Sequence, residues 1–188
     1  MIDEAFVPFD IWGGAGKDTA DAANVVNVGS SPTRPSIKVY ACGPMGGLSS
    51  KDADAWRQEL KALCGPAVII LSPMRGVPNV DNISPSYEAN LIFHHKGVTA
   101  RDRFDVQQCD IMVANLIGMT REKGSVGSIM EYGWANAYGK VIVTIAPQQE
   151  AAWGPNFLVA DHPMIKTVTD YRVASIADAA KVVLAYLP

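Results

Sequence analysis

A single carboxylate, that of Glu131, is the strongest candidate for chemistry in the sequence. It lies in residues 124–140, GSVGSIMEYGWANAYGK, where a loop of Gly and Ser leads directly into a helical pattern. A carboxylate held near the front of a helix, partly removed from water and beside a ligand-sized gap, can act as a nucleophile or a base. The alternative is that Glu131 is an ordinary surface residue of the helix, as most glutamates are.

The helix that carries Glu131 is predicted from apolar residues that recur at helical spacing. We place Glu131 beside this packing stripe rather than on the opposite, polar side, and we expect Gly139 to cap the C-terminus. The predicted stripe consists of Val126, Ile129, Met130, Gly133, Trp134, Ala137 and Tyr138.

Short apolar runs alternate with helical patterns through the rest of the chain. We predict helices capped by Ser49 or Ser50, by Thr99 and by Ser175. Strands that are apolar along their whole length indicate a parallel sheet covered on both faces, so the predicted fold is α/β with helices on both faces of the sheet. The five predicted strands cover residues 37–43, 67–73, 110–116, 140–146 and about 170–173.

The loop that follows the first strand reads GPMGG. In open parallel sheets the ligand lies beyond the carboxyl ends of the strands, so this loop faces the expected crevice. It matches neither GxGxxG nor GxxxxGK[ST], which argues against a dinucleotide or ATP site. Its glycines allow a ligand to approach the backbone closely, so Gly43, Pro44 and Met45 are candidate substrate contacts. Tyr40, in the strand itself, either presents its phenol to the pocket or is a core tyrosine.

Two aspartates flank the helix before the third strand. Asp110, at the start of that strand, is most simply a structural cap. Asp102 either lies at the helix's N-terminal end near the crevice or forms a salt bridge with a neighbouring arginine. Sequence reasoning leaves both readings of Asp102 open.

Metal and hydrolase signatures are weak. His94 and His95 are adjacent and have no third ligand at metal spacing, so we assign no metal and no cofactor. There is no GxSxG elbow, and the adjacency of Asp161 and His162 is not the geometry of a catalytic triad.

The composition leaves a small polar ligand open as the partner. The chain has 188 residues and a net charge of -3, and it lacks a block of Lys and Arg, so we expect neither a nucleic acid polymer nor a membrane as partner. Cys42, Cys64 and Cys109 form no CxxC or Cys/His cluster. We interpret them as reduced core residues of a cytoplasmic protein.

Residues 1–36 differ in kind from the rest. Scattered aromatic residues are followed by small and polar residues without a sustained period. We predict an N-terminal arm that is extended or packs on the body or on a second subunit, followed by a catalytic domain over residues 37–188. The alternative is that the arm is an artefact of expression.

An ordered series of motifs between residues 37 and 173 resembles the nucleoside 2-deoxyribosyltransferase family. The two most specific are DRFDVQQCD (102–110) and SVGSIMEYGWANAYGK (125–140), and YACG (40–43) and VANL (113–116) accompany them. The resemblance implies a flavodoxin-like (Rossmann-like) parallel sheet. It also implies a homodimer or higher homo-oligomer whose active sites are completed across a subunit interface.

The resemblance further implies roles for three residues. Glu131 would be the nucleophile that attacks C1′ of a deoxynucleoside and forms a covalent deoxyribosyl-enzyme, which a second nucleobase then attacks. Asp102 would be the acid/base at the nucleobase, and Tyr40 would orient Glu131. Covalent catalysis of this kind splits a difficult substitution at an oxocarbenium-like carbon into two steps.

The sequence departs from the transferases at two positions. Transferases have an Asp that holds the sugar 5′-hydroxyl where this chain has Ser125, whereas the related deoxynucleoside 5′-monophosphate N-glycosidases have a Ser. With Gly127 and Ser128 at a helix N-terminus, Ser125 resembles a 5′-phosphate cradle, although a serine also hydrogen-bonds a plain hydroxyl. His162 stands where the family has an interface-borne Asn or Ser, and a cationic His would favour phosphate.

Three functions follow from these observations. The first is transfer of deoxyribose between nucleobases. The second is hydrolysis of deoxynucleoside 5′-monophosphates by the same glutamate. The third is a nucleotide-binding module without turnover.

Overall fold

Five parallel strands form the centre of the fold. The computed structural model describes residues 36–46, 48–75, 95–148, 154 and 156–188. The order of the strands in the sheet, β2-β1-β3-β4-β5, is that of flavodoxin-like proteins and confirms the predicted fold class. The strands are β1 (Ile37–Cys42), β2 (Val68–Leu71), β3 (Ile111–Asn115), β4 (Val141–Ile145) and β5 (Tyr171–Val173).

Helices cover both faces of this sheet. Helices α1 and α5 pack together on one face, and α2 and α3 pack together on the other. A 3-10 helix, Val159–Asp161, precedes α4. The helices are α1 (Ser50–Cys64), α2 (His95–Gln108), α3 (Val126–Ala137), α4 (Pro163–Val168) and α5 (Ile176–Ala185).

The alternation of side chains along β1 decides which of its residues reach the site. Val39 packs in the core beneath α1 and α5, whereas Tyr40 and Cys42 belong to the core beneath α2 and α3. Successive side chains of a strand point to opposite faces, so Tyr40 and Cys42 share one face by necessity. That face is the one against which the Glu131 helix packs.

The predicted caps are confirmed at two helices and wrong at a third. Ser49 and Ser175 cap α1 and α5, and each accepts a hydrogen bond from the backbone N–H three residues later. Helix α2 already runs from His95, so Thr99 lies inside it rather than at its start. A threonine inside a helix costs only a fraction of a kcal/mol, so packing overrides this local signal. Asp102 is therefore in the middle of α2, and the predicted position at its N-terminal end is wrong.

The predicted packing stripe of α3 is also wrong. Val126 is 82% exposed, Ile129 39% and Met130 49%, and Gly133 and Ala137 are exposed as well. Trp134 and Tyr138 are partly buried. Apolar residues lie on most sides of this helix, so their spacing predicts the helix without fixing which side faces the sheet. The buried face consists of Ser128, Glu131, Tyr132 and Ala135.

Small side chains on one face of α3 and the hydrogen bonds of one hydroxyl group set which side of the helix faces the sheet. Ser128 and Ala135 allow α3 to lie close to the sheet. The buried Tyr132 hydroxyl hydrogen-bonds to Thr144 of β4 and, at 2.7 Å, to the Thr169 hydroxyl. A buried tyrosine hydroxyl needs such partners, so α3 is held with Tyr132 and its neighbour Glu131 facing inward.

Two aspartates join neighbouring strands where the strands begin. The Asp110 carboxylate accepts a hydrogen bond from the Lys38 backbone N–H at 2.8 Å, which confirms its structural role. Asp170, before β5, does the same for the Ile142 backbone N–H at 2.8 Å. Each of these backbone groups would otherwise lack a partner at the end of the ladder.

Several predictions concern residues outside the described part of the chain. Of the N-terminal arm, 1–36, only Ser36 is described, so the predicted domain boundary stays a prediction. His94 also lies outside the described residues. Within the described ranges, no helix has the length and apolar character needed to cross a membrane.

The end of α3 lies one residue earlier than predicted. Tyr138 is the C-cap, and Gly139 follows with a φ of +64°. A residue with a Cβ is strained in this left-handed region, whereas Asn tolerates it better than other residues.

We therefore expect Gly139→Ala to lower the free energy of unfolding by about 1 kcal/mol. Gly139→Asn is the matched control and should cost less, because its side chain is larger but suits the conformation. Urea denaturation measures both. Equal losses for the two variants would contradict the assignment of the strain to backbone conformation.

Candidate active site

The Glu131 carboxylate lies on the inner side of α3 and is only 7% exposed. Its pKa is raised from the ordinary value of 4.5 to about 7, mainly by burial and secondarily by the charge of Asp102. Cys42, Tyr40 and Arg57 act in the opposite direction and stabilise the ionised form. A carboxylate with this pKa exists in both protonation states near neutral pH, and its ionised form is poorly solvated. Both properties suit a nucleophile.

Two side chains of β1 face Glu131. The Tyr40 side chain is fully buried, and burial together with the charges of Glu131 and Asp102 raises its pKa, so the phenol is protonated. The Tyr40 hydroxyl lies beside Glu131 without the geometry of a full hydrogen bond to any described residue. The Cys42 thiol donates to the Ser128 carbonyl at 3.7 Å, and its pKa is raised by burial and then by Glu131. Glu131 therefore faces two neutral donors.

Asp102 of α2 is the second carboxylate of the site and is 5% exposed. Its pKa is raised, mainly by burial, although Arg101 opposes this by donating to its Oδ1 atom at 3.0 and 3.2 Å. Asp102 thus forms the predicted salt bridge with an arginine, and from the middle of α2 it also interacts with Tyr40 and Glu131.

A pair of arginines ties α2 to the segment after β2. Arg101 donates to the Pro73 carbonyl at 2.7 Å, and Arg75 forms a salt bridge with buried Asp105. On the other side of α2, the Arg103 guanidinium donates to the Tyr138 hydroxyl of α3 at 2.9 Å. These contacts hold Asp102 and Glu131 in a fixed relation to one another.

Arg57 of α1 belongs to the site and is absent from the sequence-based predictions. It is 1% exposed and donates to the carbonyls of Ala41 and Gly43, each at 3.0 Å. The available signal is that Arg57 interrupts the apolar stripe of its helix. The other buried residues on that stripe are Ala53, Leu60 and Cys64.

The proposed phosphate cradle is a helix N-terminus. Ser125 is the N-cap of α3 and accepts from the Ser128 backbone N–H at 3.3 Å and from the Ser128 hydroxyl at 3.0 Å. Ser128 is buried and Gly127 is exposed. Capping accounts for both hydroxyls without a ligand, so the role of all three residues in binding stays a prediction.

The GPMGG loop leaves the sheet at Gly43. A Cβ there would lie 3.1 Å from the Trp56 ring and 3.2 Å from the Asn115 carbonyl, so the loop begins against α1 and β3. Pro44 and Met45 are partly buried. Pro44 also lines an open groove of about 370 Å³ against α1, and neither Glu131, Asp102 nor Tyr40 contributes to its walls.

His162 lies at the N-terminus of α4. It is exposed and caps α4, where its Nδ1 atom accepts from the Met164 backbone N–H at 3.3 Å. The preceding residue, Asp161, is buried and forms a salt bridge with Arg172 at 2.6 Å. The contacts of His162 given by the structure are local, and its predicted role in a neighbouring site stays a prediction.

The described residues contain no group of three or more His, Cys, Asp or Glu side chains placed to hold a metal ion. Cys42, Cys64 and Cys109 are unpaired and buried, as expected for reduced core cysteines.

Comparison with known proteins identifies the family. The family model described as "Nucleoside 2-deoxyribosyltransferase" matches residues 39–179 of the 188-residue chain. The chain belongs to the nucleoside 2-deoxyribosyltransferase family. Residues 40, 102 and 131 all lie within the match, and the family contains transferases and hydrolases of N-glycosidic bonds.

Two solved structures with TM-scores above 0.5 support the fold of this family member. A 2-desoxiribosyltransferase from Leishmania mexicana aligns with a TM-score of 0.56 at 20% identity, covering 80% of this chain and 98% of that one. A conserved protein from Enterococcus faecalis V583 aligns with a TM-score of 0.56 at 18% identity, covering 78% and 96%. A CMP N-glycosidase, BcmB, from Clostridium botulinum aligns with a TM-score of 0.45 at 16% identity, covering 80% and 99%. A search of curated proteins found no match.

The burial of Glu131 has a consequence for stability. Because its folded-state pKa of about 7 lies above the ordinary value of 4.5, the folded protein binds more protons than the unfolded chain between these values. The contribution of Glu131 to the free energy of unfolding therefore falls as the pH rises from about 4.5 to about 7. At pH 8 the ionised group costs on the order of 3 kcal/mol.

We expect Glu131→Gln to be more stable than the wild type at pH 8 and to show a smaller difference at pH 5. Glu122→Gln, which alters an exposed loop residue, is the control and should leave the pH dependence unchanged. Denaturation with urea at both pH values measures the effect. An identical pH dependence for wild type and Glu131→Gln would contradict the raised pKa.

Proposed function

We propose that the protein is a nucleoside 2-deoxyribosyltransferase that cleaves the N-glycosidic bond of 2′-deoxynucleosides through a covalent deoxyribosyl-Glu131 intermediate. The observation that carries the proposal is a buried carboxylate with a pKa of about 7, beside a protonated phenol and a second buried carboxylate. Family membership supports the reaction class. No cofactor enters the reaction.

In the first step a Glu131 oxygen forms a bond to C1′ while the bond from C1′ to the base nitrogen breaks. The electron pair of the broken bond goes to the base, which takes a proton from Asp102. Burial raises the pKa of Asp102 and so increases its protonated fraction, which suits a general acid. Tyr40 lies where its hydroxyl can donate to Glu131 and orient the attacking oxygen.

In the second step an acceptor nucleobase attacks C1′ and displaces the Glu131 carboxylate. The base loses a proton from its attacking nitrogen, and Asp102 takes it back. The enzyme thus returns to its starting state with no net change in protonation. The GPMGG loop, with Gly43, Pro44 and Met45, supplies backbone contacts to the substrate in this proposal.

The alternative function is hydrolysis of 2′-deoxynucleoside 5′-monophosphates, with water as the acceptor in the second step. The observation that favours it is the pair of hydroxyls, Ser125 and Ser128, at the N-terminus of α3. No acidic residue lies in the first turn of this helix, so its positive end is free of a competing carboxylate. Such an end attracts a phosphate.

The experiment incubates the purified chain with deoxynucleosides and, separately, with their 5′-monophosphates, each with and without a free acceptor base. We expect a new nucleoside only where the base is present, and mass spectrometry of the reaction products detects it. Free sugar or sugar phosphate as the main product would instead favour the hydrolase.

The same assay tests the nucleophile. Glu131→Gln keeps the shape of the side chain but removes the attacking anion, so we expect turnover to fall by at least about a thousandfold. Glu122→Gln is the matched control, because it makes the same change at an exposed position. Undiminished activity of Glu131→Gln would overturn the mechanism, and binding without turnover in the wild type would favour a nucleotide-binding module.

We further propose that the protein acts in the cytoplasm on these small molecules as a homodimer or higher homo-oligomer. The exposed side of α3 supports this, because Val126, Ile129 and Met130 expose apolar surface on one side of the helix and no charge interrupts them. An exposed apolar patch of this kind is typical of a protein interface. His162, in this proposal, completes the site of a neighbouring subunit.

We expect Val126→Asp to shift the protein toward monomer. The change places a charge in the apolar side of α3, yet an acidic residue suits the first turn of a helix, so folding is preserved. Ala177→Asp is the matched control in the first turn of α5, on the opposite face of the sheet. Sedimentation velocity measures the mass. A monomeric wild type, or an oligomer unaffected by Val126→Asp, would contradict this interface.

A further inference from the structure

Arg57 is a buried cation with an unusual set of partners. Its Nε and Nη2 atoms donate to the carbonyls of Ala41 and Gly43, each at 3.0 Å, and Nη1 donates to the Ala53 carbonyl within its own helix. The guanidinium carbon lies 4.7 Å from the centre of the Trp56 ring. Every hydrogen bond that the structure gives it thus ends on a backbone carbonyl.

A buried arginine normally pairs with a carboxylate. In the described part of the chain, no carboxylate oxygen lies within 4.0 Å of the Arg57 guanidinium. Its charge is instead compensated by carbonyl dipoles, by attraction to Glu131 from across β1 and by attraction to Asp54 of its own helix. Burying the Arg57 guanidinium therefore costs more free energy than burying an apolar side chain at the same position would. This cost points to a role beyond stability.

The two carbonyls that Arg57 binds flank Cys42. The Cys42 side chain faces Glu131 and Ser128 on the opposite side of the strand. Gly43 leaves no free space for a side chain on the Arg57 side, since Trp56 and Asn115 lie against it. The guanidinium therefore holds the last residues of β1, which face Glu131, and also the start of the GPMGG loop.

We propose that Arg57 is a positioning residue for Glu131: its guanidinium holds residues 41–43 in place and supplies a positive charge behind the strand that Glu131 faces. The inference rests on the proposed function, because it assigns Arg57 a part in preparing the nucleophile. Arg57 itself lies behind the strand and makes no bond to the reacting atoms. It acts through the backbone of β1 and through its charge.

The groups that influence the ionisation of Glu131 come from three elements. Tyr40 and Cys42 of β1 are neutral donors, and Asp102 of α2 is a buried carboxylate that disfavours ionisation of Glu131. Arg57 of α1 is the cation that favours it. Removal of this charge alone should therefore raise the pKa of Glu131, whereas loss of the hydrogen bonds alone should not.

Two variants separate the charge from the hydrogen bonds. Arg57→Met removes both, and Arg57→Lys keeps the charge but cannot bridge the two carbonyls in the same way. Lys61→Met is the matched control, because it removes an exposed charge from the next turn of the same helix. Glu131 is titrated by NMR in protein labelled with ¹³C at the glutamate carboxyl groups and assigned with Glu131→Gln, and the pH profile of kcat is measured in parallel.

We expect Arg57→Met to move the Glu131 titration, and the acid limb of kcat, upward by roughly one pH unit. Arg57→Lys should keep the wild-type titration with kcat lowered about tenfold or more, and Lys61→Met should change neither. An unchanged Glu131 titration in folded Arg57→Met would overturn the proposal. If that variant does not fold, wild-type kcat in Arg57→Lys would overturn it. The NMR titration needs no turnover, so a failure of the proposed function is distinguishable from a failure of this inference.

Discussion

The removal of charge from water at the carboxyl end of β1 is the constraint on which the site depends. Glu131, Asp102 and Arg57 are all almost completely buried there. Each buried charge costs several kcal/mol unless neighbouring groups replace the lost hydration. Asp102 is paired with Arg101, and Arg57 donates to backbone carbonyls. Glu131 has only weak neutral donors and a more distant cation beside it. Glu131 is thus the least compensated of the three, and an under-solvated carboxylate is the more reactive one.

The two faces of the sheet contribute different groups to this arrangement. The strand β1 presents Tyr40 and Cys42 to α2 and α3, while its carbonyls at residues 41 and 43 receive Arg57 from α1. A single six-residue strand therefore connects groups that come from helices on opposite faces of the sheet. The order β2-β1-β3 also makes β1 an interior strand, so its position is fixed on both edges.

The sheet was predictable from sequence because buried parallel strands are continuous apolar runs, and all five predicted runs contain the observed strands. The caps Ser49 and Ser175 were predictable because the signal is local. The start of α2 and the inward side of α3 were not, since both depend on contacts with distant residues. The burial of Glu131 follows from the partners of Tyr132, which no spacing rule reveals. The only sequence signal for Arg57 is that it interrupts an apolar stripe. The same pattern is typical of a long side chain whose charged end reaches solvent.

The hydroxyl network of Tyr132 has a consequence for motion during the reaction. Tyr132 is the residue next to Glu131, and its hydroxyl is joined to Thr144 of β4 and to Thr169, which itself donates to the Ile165 carbonyl within α4. The backbone that carries the carboxylate is therefore anchored to two further elements, which restrains its movement during the reaction. Under the proposed chemistry the atom that moves is the anomeric carbon of the sugar. It moves from the leaving base to the Glu131 oxygen and then from that oxygen to the incoming base.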